Sequence, residues 1–100
     1  STIMKLTSIG EIIATNSTAA LAFDDAQAST EILAALQAEQ HIVAAILLDS
    51  VGHPFAQYPA NLPLGKLPVY PPPMGYQYVD QHLEGFQPVL QGTKLLGTLS

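Results

Sequence analysis

The chain has 100 residues, 48% of them hydrophobic and 11% charged, with a formal net charge of -5 at pH 7. That length buries one core and not two, and so hydrophobic a composition folds rather than staying disordered. Lys5, Lys66 and Lys94 are the only basic residues and there is no arginine, which excludes a nucleic-acid surface built from clustered cations.

The absence of cysteine excludes disulfides, thiol chemistry and the usual structural zinc sites. No apolar stretch is long enough to span a bilayer: Ile12 to Phe23 carries polar residues, and Ser50 to Gly65 is interrupted by prolines. Scarce Lys and Arg suit a segment carried out of the cytoplasm, since those residues are biased to the cytoplasmic side of membrane spans. The chain starts at Ser1 with its first Met at position 4 and ends in a strand-like pattern, LLGTLS, so it reads as one domain of a longer protein.

A helix is expected from Thr2 to about Leu21. Leu6, Ile9, Ile13, Asn16, Ala20 and Phe23 recur at alternating intervals of three and four, the seam of a two-stranded coiled coil. Ile3, Met4, Ile12 and Ala19 lie off that stripe, so the helix is apolar on more than one side. We therefore expect it to pack on its own domain and on a second copy, with Leu6, Ile9, Ile13, Asn16 and Ala20 as the homodimer face. Asn16 has two readings. It fixes the register of paired helices, or it bonds a backbone carbonyl near the Asp24 loop.

Asp24 or Asp25 is expected to cap a second helix through STEILAALQAE, with Asp24-x-x-Gln27 resembling a capping box. Ile32, Leu33 and Leu36 face inward, Gln40 and His41 end the helix, and Leu21 and Phe23 anchor the exit of the first. HIVAAILLD, His41 to Asp49, is a short branched apolar run and reads as a central strand buried on both faces. Asp49 to Gly52 is a turn, and His53 to Tyr58 returns antiparallel. Six of the eight prolines lie in PANLPLGKLPVYPPP, Pro59 to Pro73, which makes a long loop. Strands follow at Gly75 to Val79, His82 to Leu90 and Lys94 to Ser100, the middle one irregular at Pro88. The sum is an α+β domain with two N-terminal helices and five antiparallel strands.

Reactive chemistry finds little support. His41, His53 and His82 lack metal-ligand spacing, and no metal site or cofactor is expected. Asp24 and Asp25 are adjacent, so their side chains diverge, whereas paired-carboxylate catalysis needs them aimed at one point. Ser17 and Thr18 have no nucleophile elbow and no neighbouring base. Gly-rich phosphate loops are absent. No catalytic residue is assigned. Tyr58, Tyr70, Tyr76 and Tyr78 bracket the proline loop, and with Phe55 they form the expected ligand site, because an aromatic ring with a polar tip suits a pocket between loop and sheet. The alternative is that they hold the loop down.

The runs N-S-x-A-A-L-x-F-D-D (Asn16 to Asp25), A-x-x-x-D-x-x-G-x-x-F-A (Ala45 to Ala56) and P-V-x-x-x-x-x-x-x-G-T-L (Pro88 to Leu99), together with an L-x-A-L before a helix-to-strand break, occur in order over nearly the whole chain. This succession resembles the eighth class of extracytoplasmic CHASE-type sensor domains of bacterial membrane receptors. The resemblance implies a PAS-like sheet and a periplasmic, dimeric, non-catalytic input domain between two membrane spans, with a HAMP segment and a histidine kinase or GGDEF diguanylate cyclase inside the cell. The signal is expected to be a small ligand or a periplasmic partner protein. The alternative is a ligand-free interaction module regulated by such a partner.

Overall fold

The computed structural model describes the backbone of residues 2–63, 75–79 and 82–99, and side chains within 2–63 and 83–97. Helix α1 runs Thr2–Ala22 and α2 runs Ala26–Ala34, continued by a 3-10 turn at Ala35–Ala38. The strands are β1 (Ala45–Asp49), β2 (Pro54–Tyr58), β3 (Gly75–Val79), β4 (His82–Gln91) and β5 (Lys94–Leu99). They pair antiparallel in the order β2-β1-β5-β4-β3. The α+β expectation is met.

The joint between the helices uses both acids. Asp24 sits in the left-handed region at φ 55, the N–H of Asp25 donates to the Ala20 carbonyl at 2.8 Å, and that of Asp24 donates to Leu21 at 3.2 Å. This nested pair is a Schellman ending, which satisfies carbonyls that the last turn leaves open. Asp25 then caps α2, its Oδ1 accepting from the Ala28 N–H at 3.0 Å. The expected capping box one residue earlier does not form, because Asp24 is spent on turning the chain.

Three boundaries differ from expectation. The second helix tightens to 3-10 geometry at Ala35 and ends at Ala38 rather than at Gln40 and His41. The strand expected from His41 begins at Ala45, since His41 to Ala44 are exposed apart from Ile42. Phe23 anchors nothing: it falls in the turn beyond the end of α1 and is 83% exposed.

The core lies between the helices and one face of the sheet. Ile13 and Ala14 of α1 and Leu33 and Leu36 meet Ala45, Leu47, Ala56 and Val89. Ile46 and Leu48 alternate with Ala45 and Leu47 and are buried as well, so β1 is covered on both faces as its composition requires. Full burial of a Leu such as Leu33 or Leu47 contributes about 1.5–3 kcal/mol.

Two bulges break the ladders. Leu47 pairs with Ala56 and Leu48 with Pro54, leaving Phe55 without a counterpart; Val89 pairs with Gly97 and Leu90 with Leu95, leaving Leu96 without one. The second lies one residue beyond Pro88, whose missing N–H weakens the ladder there.

Candidate functional site

The end of α1 is fixed to the sheet at two points. Gly97 of β5 is buried, and a Cβ there would collide with the Leu48 carbonyl oxygen and stand 2.9 Å from Leu21 Cδ1. Only glycine lets helix and strand approach this closely. The Thr18 hydroxyl lies 3.3 Å from the Leu90 carbonyl of β4 and 3.4 Å from that of Ala14, sharing its hydrogen between sheet and helix. Ser17 is fully buried and donates to the Ile13 carbonyl at 2.7 Å, which ties its hydroxyl to the helix backbone.

Of the stripe expected to face a second copy, Ile13 and Ala20 are buried within the protomer, Leu6 and Ile9 are half-buried and Asn16 is exposed. Ile12, beside them, is 59% exposed. The core-facing line of α1 is Ile9, Ile13, Ala14, Ser17, Ala20 and Leu21, rotated from the predicted stripe toward the small residues. Small side chains let α1 approach α2 and the sheet closely, and large-residue spacing alone did not register them.

The expected ligand aromatics divide. Phe55 and Tyr58 are half-buried on β2 and pack against the core. Tyr76 and Tyr78 lie on β3, paired with Gly85 and Leu83; their side chains, and Tyr70 altogether, lie outside the described residues. Strands β2 and β3 are opposite edges of the sheet, about 19 Å apart at four strand spacings. Most of the proline loop expected at 59–73 is also outside the described residues. Its first residues are held by Gln57, whose Nε2 donates to the carbonyls of Ala60 at 2.8 Å and Leu62 at 2.9 Å.

Two recesses open near Phe55. One of about 260 Å³ lies between α2 and β2, lined by Thr30, Pro54, Phe55, Ala56, Gln57 and Ala60. The other, of about 290 Å³, lies where the α1–α2 joint, the β1–β2 turn and the β4–β5 turn meet; its lining includes the apolar Leu21, Phe55 and Leu96 and the charged Asp24, Asp49 and Lys94. The β1–β2 turn is braced by Asp49, whose Oδ1 accepts from the N–H groups of Val51 at 3.1 Å and His53 at 2.8 Å, with Gly52 at φ 88. Sequence reasoning assigned Asp49 to this turn and gave Gln57 and Lys94 no role. The pairing of turns that puts Lys94 and Asp24 on one cleft is set by strand order, which local pattern does not encode.

His41 and His53 are exposed, and the His82 side chain lies outside the described residues. Among the described residues no three His, Cys, Asp or Glu side chains converge as metal ligands, and no helix is long and apolar enough to cross a membrane.

Compared with known families, residues 2–100 match the CHASE8 model, described as a periplasmic sensor domain. No curated protein and no solved structure matches the chain.

Proposed function

Because the chain belongs to the CHASE8 family of periplasmic sensor domains, we propose that it is the input domain of a bacterial membrane receptor whose output is a histidine kinase or a diguanylate cyclase. Its location is extracytoplasmic, and domains of this kind are generally non-catalytic. In this reading the chain is one domain of a longer protein, flanked by membrane spans, with α1 continuing the first of them. A PAS-like sheet is part of the same reading, supported by the order β2-β1-β5-β4-β3 beside a long N-terminal helix.

The observation that carries the reading is the close seat of Leu21 over Gly97 beside the Thr18–Leu90 contact. A ligand that changes the packing of β4 and β5 acts directly on the end of α1. The coupling is bounded by the ligand's differential affinity for two arrangements, typically about 1–3 kcal/mol. The protein works as a homodimer through α1, where Leu6 and Asn16, with the exposed Ile12, remain to meet a second copy. A small ligand binds beside Phe55.

Phe23 supports a second reading, a domain regulated by a periplasmic partner protein. A phenylalanine 83% exposed at the exit of α1 is an apolar anchor for another chain. The full-length gene tests the first reading: membrane spans on both sides, followed by a HAMP segment and a kinase or GGDEF domain, are expected. A secretion signal with no membrane anchor and no output domain would overturn it.

A further inference from the structure

We infer that the cleft of about 290 Å³ between the three turns binds a small zwitterion of the α-amino-acid type. The inference rests on the sensor reading and gives its ligand a place and a chemistry. Both signs of charge line one cavity, Asp24 and Asp49 with Lys94. Among the described residues neither Asp24 nor Lys94 makes an ion pair, with the other or with any third group. Asp49 spends Oδ1 on the N–H groups of its own turn, and its second oxygen accepts from no described donor. A ligand with an ammonium and a carboxylate on one carbon presents to each wall the charge it lacks.

The rest of the lining suits the remainder of such a molecule. Leu21, Phe55, Leu95 and Leu96 are apolar, and Ser50 and Gln91 add hydrogen-bonding groups. Phe55 and Leu96 are the two residues that the bulges leave without cross-strand counterparts, and both line this one cleft. Bulges re-aim side chains and are enriched beside functional sites. Lys94 is one of only three basic residues in the chain, so few other places could hold the carboxylate. The walls come from the α1–α2 joint, the β1–β2 turn and the β4–β5 strands, so an occupant bridges the end of the signalling helix to the sheet on which Leu21 is seated.

The test is a titration of the uniformly 15N-labelled 100-residue chain with L-leucine, leucine amide and N-acetyl-leucine, followed by amide chemical shifts. Expected are saturable shifts at residues 21–24, 49–50 and 91–96 with L-leucine, with a Kd on the order of 1 mM for so small a ligand in an open cleft. Both blocked compounds are expected to bind at least about tenfold more weakly, as are Lys94→Gln and Asp24→Asn, the latter chosen because Asn also tolerates the left-handed conformation. No saturable shifts at these residues, or equal binding of the blocked compounds, would overturn the inference. Binding in the cleft without a change in output of the full-length receptor would leave the site standing and count against the sensor reading.

Discussion

Ser29 is fully buried on α2, and its hydroxyl has no hydrogen-bond partner among the described residues. A buried unsatisfied hydroxyl costs about 1–3 kcal/mol, so Ser29→Ala is expected to raise stability by about 1 kcal/mol, read as an increase in Tm of roughly 4–8 °C. Asp25→Ala should do the reverse, costing about 1 kcal/mol in urea or thermal unfolding by removing the bond to Ala28. At this scale the sequence was most legible where a residue serves its own neighbours. The Asp49 turn, the two acids of the joint and the irregularity near Pro88 follow from local backbone chemistry. Phe23 was misplaced because it continues the helical spacing one residue beyond the helix, and only the turn at Asp24 decides where it points.

Among the elements, the contact of α1 with β5 is the most sensitive. Gly97→Ala places a methyl group against the Leu48 carbonyl and the end of the Leu21 side chain at once, and because the first of these is backbone of β1, the β1–β5 pairing must shift while Leu21 repacks. Overpacking of this kind costs about 1–3 kcal/mol, so a lower urea midpoint with an unchanged m-value is expected. Wild-type stability in Gly97→Ala would mean that β5 does not lie as close to β1 and Leu21 as described. Helix and strand order could be read from apolar periodicity, and the double burial of β1 from its branched run. The rotation of α1 could not, because Ala14 and Ser17, which lie off the expected stripe, owe their inward position to their small size rather than to hydrophobicity. The two bulges were legible only near Pro88; Phe55 gives no local sign of being skipped, since its displacement depends on the register between β1 and β2.

For the whole molecule, one sheet brings the β1–β2 and β4–β5 turns to the exit of a single long helix. The N-terminal half of α1 leaves Ile3, Met4 and Ile12 exposed, and its C-terminal end is fixed by Leu21 and Thr18. In the proposed homodimer, a helix held at one end and apolar at the other would report a change in the sheet to a second copy of itself. The family and the periplasmic setting were legible as a succession of short motifs spread over the chain. The cleft was not, because its charged walls come from residues 24, 49 and 94, brought together only by topology.

The most direct measurement is disulfide cross-linking of single cysteines placed along α1 in the full-length receptor in membranes, with and without the activating signal. Cysteines at the positions of Leu6, Ile12 and Asn16 are expected to cross-link more readily than those at the buried Ala14 and Ser17, in a pattern that changes when output changes. No cross-linking at any of the first three positions, or an identical pattern in both output states, would contradict α1 as the dimeric element that carries the signal.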